Sequence, residues 1–245
     1  MQDSFDVQVP PEWYGESYDS PERLSSYGEQ IGLVMAQAAR QDKLLEIGIG
    51  NGTLTAALRN RGLDVVTVDF DEALRPDVVA DVRELPFPDD GFDGALAFEV
   101  LEHVPWEDLG AALRELARVA LWALVSVPNV GPALSLRAHV PNGVQILRLA
   151  GRRRIPFRDA VWALTQREAW RRAGGVVARV GTIGPRRVRP HVFDGQHHWV
   201  LGEGGLEAGD FAALAPGCGL VVTRDFRPVS HPAHHFFVLE RKRSD

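Results

Sequence analysis

At 245 residues, with 45% hydrophobic and 24% charged content, the chain can bury one sizeable core, and its composition excludes fibrous and disordered classes. The single Cys218 excludes an internal disulfide and a cysteine-rich metal site, so nothing points to an oxidising compartment. The opening MQDSFDVQVPPEW lacks a basic region followed by an apolar one, and the longest uncharged apolar run, Val119 to Pro128, is too short to cross a bilayer; a soluble, cytoplasmic protein is expected.

The net charge of −6 conceals a segregation. Residues 1–130 carry 9 Lys+Arg against 24 Asp+Glu, residues 131–195 carry 13 against 3, and residues 196–245 carry 5 against 6. The middle of the chain is a basic island.

In chain order, Leu24, Tyr27, Ile31, Val34, Met35 and Ala38 recur at helical spacing and predict a helix over Pro21 to Arg40. KLLEIG reads as a short buried strand, Thr53 to Arg61 as a helix closed by Gly62, and LDVVTVDF as a second strand. DVVAD is a third strand and FDGALAFE a fourth. A helix from Trp106 to Val119 carries Leu109, Ala112, Leu113, Leu116 and Val119 on one face, and LWALVSVP is a fifth strand. Apolar strands alternating with helices imply a parallel sheet covered on both faces. After a long irregular interval come a helix over Leu206 to Leu214 and two strands, LVVTRDF and HHFFVLER, whose spacing suits an antiparallel pair.

The stretch LLEIGIGNGTLT asks what ligand needs a strand to end in a glycine-rich turn. In an open parallel sheet, ligands bind at the carboxyl ends of strands. Gly48, Gly50 and Gly52 remove Cβ atoms there and let backbone amides approach closely. The dinucleotide spacing G-x-G-x-x-G would need a third glycine where Thr53 stands, and the Gly-Lys-Ser/Thr ending of a phosphate loop is absent. Asp69 ends the second strand, where a carboxylate can accept both hydroxyls of a ribose; Phe70 can lie against a purine, and Asp81 ends the third strand. Carboxylates after three successive strands, with few cations nearby, suit a nucleoside without phosphate, such as S-adenosylmethionine.

These motifs, with ADVRELPFPDDGFDGALAFEVLEHVP and LRELARVALWALVSVPN, resemble those of class I S-adenosylmethionine-dependent methyltransferases of the type-11 group over residues 43–129. The resemblance implies an α/β fold: a doubly wound, mostly parallel seven-stranded sheet with a basic cap inserted after the fifth strand. It implies that Glu46, Gly48, Gly50 and Gly52 form the methionine-side loop, that Asp69 holds the ribose, that Phe70 flanks the adenine, and that Asp81 with Val82 faces its amino group. Phe98, Glu99 and His103 would line the pocket, and Tyr14, Tyr18 or Tyr27 of the leading segment could contact the cofactor. The family's Pro-Gly-Gly-like turn before the fifth strand is missing, so a shorter turn is expected.

The expected organisation is an N-terminal lid and helix over 1–42, a cofactor-binding core over 43–130, a basic cap and acceptor region over 131–205, and a C-terminal helix and strand pair over 206–245. GRRRIPFR, REAWRR and GPRRVRP in the cap read either as a solvated helical surface or as an anion clamp. Trp162, Trp170 and Phe157 lie at helical spacing rather than as a stacking platform, and no RNA module is recognisable, so a small, acidic acceptor is preferred to nucleic acid. His191, Asp194, His197 and His198 precede the last helix; with His231, His234 or His235 they could hold a transition metal, but no standard ligand spacing is present and no metal is assigned. Removing a proton from a hydroxyl acceptor suits a histidine, with His197 or His198 the candidate base and His103 the alternative. An RNA or lipid-headgroup methyltransferase, and a non-catalytic nucleotide-binding module, remain the competing readings.

Overall fold

The structure, a computed structural model, describes residues 11–14, 18–131, 134–136, 180–182, 191–193, 195–228 and 231–242. The chain divides into two compact units, residues 1–130 with 188–245, and residues 131–187. Residues 188–205, grouped with the cap in the sequence reading, belong to the first unit. Most of the arginine-rich cap lies outside the described residues. In the second unit, strands β6 (Leu134–Leu136) and β7 (Val180–Thr182), numbered in chain order, pair antiparallel, with Leu134 opposite Thr182.

The first unit is built on a sheet of order β3-β2-β1-β4-β5-β9-β8. Its strands are β1 (Lys43–Ile47), β2 (Asp64–Asp69), β3 (Val78–Val79), β4 (Phe92–Phe98), β5 (Ala120–Pro128), β8 (Leu220–Phe226) and β9 (His234–Arg241). β1 to β5 run parallel, and β9 joins β5 antiparallel with β8 at the edge. This is the doubly wound, mostly parallel seven-stranded sheet expected from the sequence. Strand order reverses where β1 lies between β2 and β4, which opens a crevice at their carboxyl ends.

Side-chain alternation along each strand feeds two cores. Leu44, Leu96, Leu124, Phe236 and Val238 face helices α1 (Pro21–Gln37) and α2 (Thr53–Arg59). Leu45, Ala95, Val125, Phe237 and Leu239 face α3 (Leu109–Val119) and α4 (Ala208–Leu214). Each fully buried Leu or Phe contributes roughly 1.5–3 kcal/mol. At Gly94 on β4 a Cβ would overlap the indole of Trp122, so the absent side chain admits that ring to the core beneath α1 and α2.

Local chemistry explains where the elements depart from the expected bounds. β3 shrinks to two residues because the aspartates flanking it turn the chain: Asp77 accepts from Thr67 N–H and Oγ1, each at 2.9 Å, and Asp81 accepts from Arg83 N–H at 2.7 Å. Residues Trp106–Asp108 form a 3-10 turn ahead of α3, with Trp106 edge-on to Trp199 at 5.1 Å. α3 passes directly into β5, since Val119 ends the helix and Ala120 starts the strand, its N–H still bonded to Leu116 O. The short turn expected there is thus reduced to no intervening residue.

Candidate active site

A cavity of about 400 Å³ opens at the crevice, lined from the ends of β1, β2 and β4, the segment after β3, and α1. Such a volume suits one ligand of nucleoside size. Of the sequence candidates, Glu46, Gly48, Gly50, Asp69, Phe70, Asp81, Val82, Phe98, Glu99 and Tyr27 all line it, as do Tyr14 and Tyr18. Gly52 does not; it caps the N-terminus of α2 in a left-handed conformation, φ 74°.

The glycine turn is shaped by its surroundings. Gly48 has φ +79°, and a Cβ on it would overlap Cγ2 of Val100; at Gly50 a Cβ would meet the Tyr14 ring at 3.6 Å. Backbone therefore forms the cavity wall here in a conformation that L side chains rarely adopt, and at Gly48 a side chain would also displace Val100. Glu46 is 3% exposed and accepts from Thr55 Oγ1 at 2.7 Å. Burial pushes its carboxyl up to about 7, against the opposing pull of Thr55.

Asp69 braces the same turn. Its Oδ2 accepts from Ile49 N–H and its Oδ1 from Asp71 N–H, each at 3.0 Å. Burial raises its carboxyl while these backbone donors oppose the rise. The Phe70 ring, 43% exposed, stands at the rim. Asp81 is gripped by Arg83, whose Nη2 donates to Oδ2 at 2.9 Å and whose Nε reaches both oxygens, while Arg83 Nη1 donates to Asp108 at 2.7 Å. Both carboxylate oxygens of Asp81 are thus already used within the protein.

Helix α1 forms the outer wall. Tyr27 donates to Asn51 Oδ1 at 3.0 Å, and Asn51 donates to Asp19 at 2.9 Å, which ties the helix to the glycine turn. Burial pushes the Tyr27 phenol up to about 12, so it remains a donor. Arg23 lines the cavity beneath the Tyr18 ring, its guanidinium carbon 4.4 Å from the centroid. The sequence reading overlooked Arg23, Arg83 and Asp108, because a cation inside an acidic half-chain is identified only by the carboxylate it meets.

The histidines converge from two segments. His103 ends a 3-10 turn after β4, and residues 196–201 return alongside: His103 Nδ1 lies 2.8 Å from Gln196 O, His198 N–H donates to Glu102 O at 2.8 Å, and Trp199 Nε1 donates to Val104 O at 3.0 Å. His103 and His198 line the cavity, whereas His197 stands behind His103 with ring centroids 5.2 Å apart. Glu102 is 1% exposed, its Oε2 has no hydrogen-bond partner, and burial pushes its carboxyl well above the usual range. His235 plays a different part: its Nε2 lies 2.8 Å from Asp225 and its Nδ1 3.3 Å from Asn129, away from the cavity lining.

Among the described residues, Glu99, His231 and His234, and separately Glu102, His103 and His197, bring ligand-type atoms within 4.8 Å of one another. In the first group Arg23 already pairs with Glu99, and the two imidazoles stack 11° from parallel with centroids 4.4 Å apart. In the second, burial favours the neutral form of Glu102. Neither group is read as a metal centre. Among the described residues no helix is long and apolar enough to cross a membrane.

Residues 45–121 match the family model described as a methyltransferase domain. An uncharacterized methyltransferase of Mycobacterium tuberculosis (strain ATCC 25618 / H37Rv) is 37% identical over 101 residues, covering 37% of this chain and 40% of that protein. The malonyl-[acyl-carrier protein] O-methyltransferase of Pseudescherichia vulneris is 32% identical over 115 residues, 42% of this chain and 45% of that protein. The matches thus span less than half the length of these relatives. Among solved structures, the PH0226 protein of Pyrococcus horikoshii OT3 superposes with a TM-score of 0.55 at 15% identity, covering 94% of this chain and 96% of that one. The 1,6-didemethyltoxoflavin-N1-methyltransferase of Burkholderia thailandensis, solved with S-adenosylhomocysteine bound, gives 0.53 at 16% identity over 96% and 85%. At such identities the structures establish the fold alone, while the matched sequence identifies the domain. Residues 45–121 thus carry a methyltransferase domain, and the fold is that of the class I S-adenosylmethionine-dependent methyltransferases.

Proposed function

We propose that the protein transfers the methyl group of S-adenosylmethionine to an O or N atom of a small, acidic metabolite. The observation that carries this reading is the cavity wall itself: buried carboxylates at the ends of β1 and β2 beside a left-handed glycine turn that has no room for a Cβ at Gly48. In this reading Glu46 and the turn from Gly48 to Gly50 receive the amino-acid end of the cofactor, with Gly52 closing the turn into α2, Asp69 the ribose, and Phe70, Asp81 and Val82 the adenine. Phe98 and Tyr27 complete the wall. The saturated carboxylate of Asp81 favours a supporting part for that residue, with its grip on Arg83 shaping the adenine end.

The cofactor supplies a methyl group on a positively charged sulfur, open to in-line displacement. The protein's task is to align the acceptor, exclude water and, for a hydroxyl, take its proton. His103 is the base that the geometry favours. It faces the cavity, and its Nδ1 bond to the Gln196 carbonyl fixes the ring and the tautomer, directing Nε2 as the proton acceptor. His198 shares the wall, and His197 supports His103 from behind.

The acidic acceptor draws support from the Arg-rich segment 131–195 and from the Pseudescherichia relative, whose name gives a malonyl group as acceptor and oxygen as the atom methylated. The test is calorimetry with S-adenosylhomocysteine, followed by a methyl-transfer screen of dicarboxylates, phosphorylated metabolites, aromatic acids and RNA. Turnover on a small acid supports the reading. Turnover on RNA alone, with binding that weakens steeply as salt rises, replaces it with the polymer reading; cofactor binding with no turnover on any acceptor leaves a binding module.

A further inference from the structure

Helix α1 turns a polar stripe toward the sheet. Arg23, Ser26 and Gln30 follow one another at helical spacing, yet Ser26 is fully buried and Gln30 is 3% exposed. Buried polar side chains are tolerated where they find partners. All three find the same one. Ser26 Oγ donates to Glu99 Oε1 at 3.2 Å, Gln30 Nε2 reaches the same oxygen at 3.5 Å, and Arg23 pairs with Oε2; from β9, His234 Nε2 lies 3.4 Å from Oε2.

Glu99 is held there at a cost. Its φ is +59°, a left-handed conformation that is unfavourable for a non-glycine residue and persists where the surroundings over-determine it. Burial alone would push its carboxyl up, but the His234 imidazole and the Arg23 guanidinium reverse this and hold it well below the usual carboxylate range. Both oxygens are occupied by protein groups, so Glu99, which lines the cavity as expected from sequence, also joins that wall to the sheet.

We propose that Glu99 is a positioning residue: it holds helix α1 over the mouth of the cavity and aims the Arg23 guanidinium into it, and so sets how long the cofactor stays bound. The inference rests on the reading of the cavity as the S-adenosylmethionine site. Glu99 acts through Arg23 and the helix rather than by touching the ligand.

The test measures S-adenosylhomocysteine dissociation by stopped flow for the full chain and for Glu99→Gln, Arg23→Gln and the double variant, with hydrogen exchange of the ligand-free proteins. Each single change is expected to raise the dissociation rate about tenfold, affinity changes of this kind falling mainly on dissociation. The double variant should dissociate no faster than Glu99→Gln alone, because the Arg23–Glu99 pair is already lost in that single change. Amides of residues 21–37 should exchange faster in all three, and KM for the cofactor should rise more than kcat falls. Unchanged dissociation, or effects of the two changes that simply multiply, would overturn the proposal. If Glu99→Gln does not fold, Arg23→Gln alone decides between these outcomes from the helix side. Failure of the wild-type chain to bind S-adenosylhomocysteine would defeat the cofactor reading, whereas the exchange measurement, which needs no ligand, reports on the latch separately.

Discussion

Thr55 Oγ1 donates to Glu46 Oε2 at 2.7 Å, joining the last turn of β1 to the first turn of α2 across the glycine segment. Glu46 is almost wholly buried, and this burial outweighs the hydroxyl's pull and pushes the carboxyl up to about 7. Its folded pKa lies above its unfolded one. The stability conferred by the neutral form is therefore complete below about pH 4.5 and lost as pH rises through about 7. Urea unfolding of the wild type should lose on the order of 3 kcal/mol over that window relative to Glu46→Gln. Parallel profiles for the two proteins would refute this. A cationic ammonium placed beside Glu46 should also ionise it, so cofactor binding near pH 6.5 is expected to release a proton, read from calorimetry in buffers of differing ionisation enthalpy.

Gly48→Ala should be severe for two separable reasons. Its φ of +79° strains any L side chain, and its Cβ would overlap Val100. The strain alone is worth about 1–3 kcal/mol. Thermal melting and S-adenosylhomocysteine affinity should both fall, and adding Val100→Ala should recover the overlap while leaving the strain. Full recovery in the double variant would show that the backbone conformation carries no cost.

Asp69→Asn replaces an acceptor with an NH2 group facing one of two backbone donors, Ile49 N–H or Asp71 N–H. The turn should loosen and a ribose should lose its partner together, with S-adenosylhomocysteine affinity down by roughly tenfold or more. An affinity within twofold of wild type would remove Asp69 from the site.

The three histidines should separate by position. His103→Ala should lower kcat by about 100-fold or more, as expected for loss of a general base, with cofactor affinity spared. His198→Ala, in the same wall, should impair turnover, and His197→Ala should do so less, since it acts only through the His103 ring. Single-turnover rates with saturating cofactor give the order; equal rates for all three variants and wild type would exclude acid–base catalysis by this group.

The elements that could be read from the chain are those whose pattern is local. Leu44, Leu45 and Ile47 announce a strand buried on both faces, Leu109 to Val119 an amphipathic helix, and the glycine spacing a turn that excludes phosphate loops. Asp69 and Glu46 were legible because strand ends are where ligands meet a parallel sheet. What stayed hidden depends on partners remote in sequence. Glu99 and Arg23 are 76 residues apart, and only the packing of α1 shows that this carboxylate is already taken. His197 and His198 are neighbours in sequence, and no periodicity in an irregular segment distinguishes the one that faces the cavity from the one behind it.

The bridge between Asn129 and Leu201, reinforced by Val130 N–H on Leu201 O at 2.9 Å and Leu201 N–H on Pro128 O at 3.1 Å, has a further consequence. Pro128 to Val130 are thereby fastened to Leu201 by main-chain groups that are indifferent to side-chain identity, at the chain positions that flank residues 131–200. Because closing a longer loop adds little entropy, such a clasp tolerates inserts of very different length. It marks segment 131–187 as exchangeable in chimeras that keep residues 188–201, since His198 among these lines the cavity.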